Sequence, residues 1–301
     1  MPTITRLLAV VLVACATVTS ATVTSALAET KLKVATSFSI VADIVKQVGG
    51  DRVEVSTMVT SNTDMHSFQP SPSDTKLLLN AQLVVINGLG LEYWADRLVK
   101  ASGYRGARLV AAKGVKALPG RGHGRYDPHA WQDAANVKIY AGNIRDALSA
   151  LDPGRADEYR KRAADYVKQL ELLETEIATA FRDIPKPRRV VTSHDSFGYY
   201  GDAYGVEFLA PQGVGEHAQL SAKVVTQLIR QIKRENVKAI FLENVGDRRF
   251  MDQIARETGA AIGGKLYSDS LSEAAGPAAT YIDMMRHNTQ LLAAALRGQK
   301  L

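Results

Sequence analysis

One segment limits the architecture more than any other. From Tyr159 the apolar residues fall at Tyr159, Ala163, Tyr166, Leu170, Leu173, Ile177 and Ala180, in alternating steps of four and three. That spacing puts all seven on one face of a helix reaching about Phe181, where "IPKPRR" stops it. At about 1.5 Å per residue such a helix is roughly 40 Å long, more than the width of one small lobe. With few heptads and alanine in the seam, it reads as an internal strut, not a coiled-coil dimer. The chain is therefore expected to be two lobes joined by one long rigid backbone helix, and to be a monomer.

The flanks repeat one pattern. Before the helix, "KLKVATS", "VEVSTMV", "LVVING" and "ARLVAA" read as strands, each followed by a helical or helix-starting segment. "SIVADIVKQVGG" has helical spacing and ends on a glycine pair, Ser71-Pro72 pairs an N-cap with a first-turn proline, and "LEYWADRLVKAS" reads as a helix. Asp133 caps a helix over 134–151. After the strut, "RRVVTS", "VEFLA", "VKAIFLE" and "AAIGGKLYS" alternate with helices. The fold class is α/β, with two (βα)4-like lobes and mostly parallel sheets. The expected division is 1–28 leader, 29–151 first lobe, 152–185 linking helix and 186–301 second lobe.

The leader has one charge, Arg6, a short apolar core "LLAVVLVACA" and an Ala26-Leu27-Ala28 exit. This is a secretory signal, too short in its apolar run to span a bilayer. Cleavage after Ala28 would release the protein into the periplasm. The alternative is lipid anchoring, because "LVAC" resembles a lipoprotein box with Cys15 as the modified residue. Cys15 is the single cysteine, so a cleaved chain has neither disulfide nor thiolate ligand. The net charge of +6 is spread among interleaved acids and bases, which gives no footprint for nucleic acid.

Six histidines remain to be placed: 66, 123, 129, 194, 217 and 287. His66 follows the second strand of the first lobe, His129 its fourth, and His194 the first strand of the second lobe. Asp269 follows the last strand. Ligands in open α/β sheets bind outside the carboxyl ends of strands, which all four positions share. Three imidazoles and a carboxylate suit a borderline divalent cation. Among the rest, Glu243 is either an orienting partner or an alternative carboxylate. Asp127 and Asp195 flank ligands and are placed to orient imidazoles. Trp131, Phe197 and Tyr267 are candidates for an apolar wall. His123 is an auxiliary capture residue or plain loop, His217 a surface residue, and His287 a structural one.

"DMHSFQPSPSD", "DPHAWQD", "SHDSFGYY" and "LYSDSLSEAAGPAATYIDMMRHN" together resemble the signature segments of a known family. These are the zinc- and manganese-binding solute-binding proteins of bacterial ABC importers, the cluster A-I or zinc-uptake periplasmic proteins, which include streptococcal lipoprotein adhesins. The resemblance runs from about 31 to 298. It implies two lobes on a rigid helix, and ligands at His66, His129, His194 and Asp269. It implies capture of a transported metal ion for a membrane permease and no enzymatic activity. Histidine at the third position favours Zn²⁺, with Mn²⁺ the alternative. The rival reading is a secreted zinc hydrolase with three histidine ligands and Glu243 as general base. No HExxH motif accompanies it.

Overall fold

A computed structural model describes residues 30–120, 125–210, 222–237, 239–245 and 248–299. The leader, His123 and His217 lie outside them. The described chain holds two four-stranded sheets. In the first, β1 (Leu32–Phe38), β2 (Val53–Val59), β3 (Leu83–Ile86) and β4 (Ala107–Val110) run in the order β2-β1-β3-β4. In the second, β5 (Arg189–Val191), β6 (Glu207–Leu209), β7 (Ala239–Glu243) and β8 (Ala261–Leu266) run in the order β6-β5-β7-β8. Every strand pair is parallel. The second sheet thus repeats the winding of the first, with the chain reversing direction between its two central strands. At such a reversal, the connections leave on opposite faces and open a crevice at the carboxyl edge.

The first lobe carries α1 (Ser39–Gly49), α2 (Pro72–Asn80), α3 (Ala95–Ser102) and α4 (Ala134–Leu151). The start of α2 is stiff: the Asp74 carboxylate accepts from the Ser71 amide at 2.7 Å and the Ser71 hydroxyl at 2.6 Å. Asp133 accepts from the Ala135 amide and caps α4. The helix expected from Leu91 begins four residues later, at Ala95. The reason lies in Glu92. Its buried carboxylate bends back to accept the Asn87 and Gly88 amides at 2.7 and 2.9 Å. That staples a turn in which Gly88, Leu89 and Gly90 all have left-handed φ (92°, 56° and 89°).

The strut is α5 (Ala156–Phe181), 26 residues, or about 39 Å. Tyr159, Ala163, Tyr166, Leu170, Leu173, Ile177 and Phe181 are its buried residues, the stripe seen in the sequence with Phe181 completing the seam beyond the half-buried Ala180. It packs on α1 and α4 of the first lobe and on α9 (Tyr281–Leu296), the last helix of the second. Polar ties reinforce both ends. Glu158 is bidentate with Arg52 near the start, and Glu176 is bidentate with Arg286 of α9 farther along. One continuous helix therefore shares the cores of both lobes. The second lobe also holds α6 (Gly198–Tyr204), α7 (Ala222–Glu235) and α8 (Arg248–Thr258).

Candidate metal centre

His66, His129, His194 and Asp269 come together at the carboxyl edges of the two sheets, each offering one atom, and those atoms all lie within 4.8 Å of one another. The Nε2 atoms of His66 and His129 are 3.2 Å apart. Asp269 Oδ2 is 3.1 Å from Nε2 of both His66 and His194. Asp269 Oδ1 is 3.6 Å from His129 Nε2. A tetrahedral ion with bonds of about 2.0–2.1 Å holds its donor atoms about 3.4 Å apart. The four separations given, 3.1–3.6 Å, are of that order.

Each mount has a local cause. His66 sits in the loop between β2 and α2, where Asp64 Oδ1 accepts its amide at 2.8 Å. The Ser71–Asp74 capping contacts hold the far end of that loop. His129 reaches the site at the end of a long excursion from β4. Asp127 Oδ1 accepts both its amide at 2.9 Å and its Nδ1 at 2.7 Å. A proton on Nδ1 leaves the Nε2 lone pair facing the site. His194 follows β5 directly, and its Nδ1 lies 2.7 Å from Glu243 Oε2. Glu243 ends β7, the other central strand of that sheet. Its Oε1 accepts the amides of Ser193 and His194 and the Ser193 hydroxyl, while Oε2 accepts the Ser196 hydroxyl. Glu243 is therefore an orienting partner and not an alternative donor to the cluster. The carboxylate at the His194 ring comes from β7, not from the adjacent Asp195.

The electrostatics fit a cation. His129, His194, Glu243 and Asp269 are all almost fully buried. Burial opposes the charged form of His194, but the Glu243 and Asp269 carboxylates outweigh it and hold its pKa well above the ordinary value. Burial likewise opposes charge on His129, and Asp269 and Asp127 outweigh it and raise its pKa. Asp269 is pulled the other way: burial disfavours its charge, yet the imidazoles of His194 and His129 hold it well below the usual carboxylate range. Its buried Oδ1 has no hydrogen-bond partner among the described residues. A buried carboxylate oxygen whose nearest imidazole nitrogen, His129 Nε2, is 3.6 Å away is costly without a proton or a metal ion between them.

Of the three aromatics expected to wall the site, Trp131 does so. Its ring meets His129 edge-on at 5.3 Å and packs on Phe38 at 4.9 Å. Phe197 stacks instead on Phe208 within the second lobe, and Tyr267 faces His287 of α9. His287 is structural, with Nε2 2.9 Å from the Lys265 carbonyl oxygen. Reading the sequence missed Tyr199, which donates to the Asp127 carbonyl and accepts the Leu118 amide. It also missed Gly198, where an added Cβ would lie 2.5 Å from Asp127 Oδ2.

Two parallel-sheet lobes on one shared helix, with a buried N₃O donor set where their carboxyl edges meet, define a two-lobed binding protein of the metal-ion class. The family model described as ZnuA, zinc-uptake complex component A periplasmic, matches residues 34–295, and the chain belongs to that family. It is 33% identical over 266 residues to the manganese-binding lipoprotein MntA of Halalkalibacterium halodurans, covering 88% of each chain. It is 32% identical over 276 residues to the manganese ABC transporter substrate-binding lipoprotein PsaA of Streptococcus pneumoniae, covering 88% of this chain and 89% of that one. Among solved structures, the periplasmic zinc binding protein TroA from Treponema pallidum superposes with a TM-score of 0.84 at 27% identity, over 89% of this chain and 99% of that one. The chain is a metal-binding, substrate-binding protein of the ABC-importer type.

Proposed function

We propose that the protein captures one divalent transition-metal ion outside the cytoplasm and hands it to the permease of an ABC importer, with His66, His129, His194 and Asp269 as the four ligands. The observation that carries this reading is the convergence of four donor atoms within 4.8 Å, contributed by both lobes, on three almost fully buried residues and the partly exposed His66. The ion is the transported substrate. Three neutral imidazoles and one carboxylate favour Zn²⁺ over the harder Mn²⁺. Manganese is the second reading, supported by the names of MntA and PsaA. A hydrolase needs an open coordination position for water. Here the fourth position belongs to Asp269, with no exposed surface of its own.

Delivery follows from the lobes. Separating them withdraws donors from the ion, and the shared α5 core limits that motion to small tilts. The permease is the partner that drives it, and the protein acts as a monomer. The leader supports release into the periplasm by cleavage after Ala28, with anchoring through Cys15 the alternative. Mass spectrometry of the exported protein distinguishes a chain starting at Glu29 from a lipidated one.

The test of the site is a competition titration. The metal-free protein is titrated with zinc against manganese, in wild type and His194→Ala. Wild type should bind one ion per chain and prefer zinc, and His194→Ala should lose most of that affinity and preference. Zinc binding as tight in the variant as in wild type removes His194 from the ligand set.

A further inference from the structure

By sequence the site divides evenly, two ligands before α5 and two after it. The hydrogen bonds divide it differently. Asp269 lies in the segment 268–272, downstream of β8, yet its neighbours are held mostly by the first lobe. The Ser268 carbonyl accepts two donors from the turn that follows His129: Trp131 Nε1 at 2.8 Å and Gln132 Nε2 at 2.9 Å. Both lone pairs of that carbonyl are thereby used. The Asn62 amide donates to Ser270 Oγ at 3.1 Å. The Leu271 amide donates to Ser39 Oγ, at the start of α1, at 2.9 Å. Ser61 Oγ donates to the Ser272 carbonyl at 3.2 Å. Past the segment, the Tyr281 amide donates to Asp43 of α1 and the Tyr281 hydroxyl donates to the Trp131 carbonyl.

The ties back to the second lobe are fewer. Asn244, just past β7, donates to Ser270 Oγ at 2.8 Å and to the Ser270 carbonyl at 3.3 Å, and its Oδ1 accepts the Ser268 amide at 3.4 Å. All three come from one side chain. Tyr267, one residue earlier, is paired by its own amide and carbonyl to Asn288 of α9. The change of allegiance falls between Tyr267 and Ser268. His194, in contrast, is fixed by Glu243 of its own sheet.

We propose that the segment 268–272 travels with the first lobe, and that Trp131 and Gln132 are the positioning residues that hold Asp269 there. When the lobes part, His66, His129 and Asp269 then stay together and His194 withdraws alone. The site opens three against one. The ion keeps its anionic ligand until the last step and leaves by the side His194 vacates.

This rests on the four-ligand reading, and the experiment separates the two. The holo-protein is loaded with Zn²⁺ and mixed with excess chelator, and the rate of metal loss is recorded. Failure of wild type to bind zinc sinks the site itself. If wild type binds, Gln132→Leu and Trp131→Phe, which each delete one donor to Ser268, should speed release about tenfold, in the range found when groups behind metal ligands are removed. Ser39→Ala, which deletes the acceptor of the Leu271 amide and leaves the two Ser268 donors in place, should speed it about threefold. Asn244→Ala, which cuts the tie to the second lobe along with a long 3.5 Å contact to Asn62, should leave it within twofold. In Co²⁺-loaded protein, Gln132→Leu should shift the visible ligand-field bands while Asn244→Ala leaves them in place. No acceleration by Gln132→Leu and Trp131→Phe, or acceleration by Asn244→Ala as large as theirs, overturns the proposal. A disulfide between N62C and S270C adds a second arm. The cross-linked protein should still exchange metal at the wild-type rate, and blocked exchange overturns the three-against-one opening.

Discussion

His129 and His194 do the same work with different wiring. Each presents Nε2 to the centre and has a carboxylate at Nδ1, at 2.7 Å in both cases. For His129 that carboxylate is Asp127, two residues upstream on the same loop. For His194 it is Glu243, which lies 49 residues away on another strand. The Asp127 carboxylate makes its two hydrogen bonds to His129, whereas Glu243 also gathers Ser193 and Ser196. A local carboxylate sets one ring. A distant one ties a ligand to the sheet, so it couples metal affinity to the integrity of the second lobe.

The sharpest way to break this contrast is Glu243→Gln. A group that only accepts is replaced by one that must also donate, facing two amides, two hydroxyls and an imidazole. We expect zinc affinity to fall about 100-fold, the upper end for groups behind metal ligands, and the melting temperature of the metal-free protein to fall with it. A competition titration and a thermal melt read both effects.

Acidity acts on both histidines together. Metal needs them neutral, and their neighbouring carboxylates raise both pKa values. Zinc binding should therefore release protons, and affinity should drop about tenfold per pH unit for each histidine below its raised pKa. Calorimetry in buffers of different ionisation heat measures the release. The metal-free protein has the opposite requirement. Histidines with raised pKa stabilise the fold below the unfolded value and lose that effect as pH rises through the folded one. The depressed Asp269 and Glu243 stabilise it above the ordinary carboxylate range and lose that effect as pH falls through their folded values. Metal-free stability should thus peak between about pH 4.5 and 6.5, where both contributions are complete. A melting temperature that falls on neither side of that window contradicts the ion-paired cluster.

Asp127→Asn should cost less than Glu243→Gln, about tenfold in affinity, because the amide oxygen still accepts from Nδ1. The metal-free melting temperature should move little, since Asp127 holds one loop and no sheet. Equal losses for the two variants would erase the distinction between local and distant support. The smallest effect should come from Gly198→Ala. Its Cβ would lie 2.5 Å from Asp127 Oδ2, on the other lobe, and the shift of about half an ångström or more needed to relieve that contact should lower zinc affinity a few-fold.

Much of this was legible before any coordinates. The α5 stripe follows from period alone, because a helix must bury one face and that face repeats every three or four residues. Ser71-Pro72 and Asp133 begin α2 and α4 as written, since capping is a matter of adjacent residues. The α3 start at Ala95 is not legible, because Glu92 spends its carboxylate on two amides behind it, which periodicity does not register. Asp127 is visible as a neighbour of His129. Asp195 is equally visible beside His194, yet Glu243 occupies the position at that ring.

The amino-acid sequence by itself determined the elements, the two-fold repetition of the winding and the four residues with the chemistry to hold a metal ion. Those depend on spacing within one helix, strand or loop. Only the tertiary structure decided that Glu243, not Asp195, orients His194, and which lobe holds Asp269. Those contacts join residues dozens to hundreds of positions apart, through backbone carbonyls and amides that every residue possesses. Such groups leave no signature in the side-chain pattern, and they acquire partners only when the sheets and α5 bring the loops together.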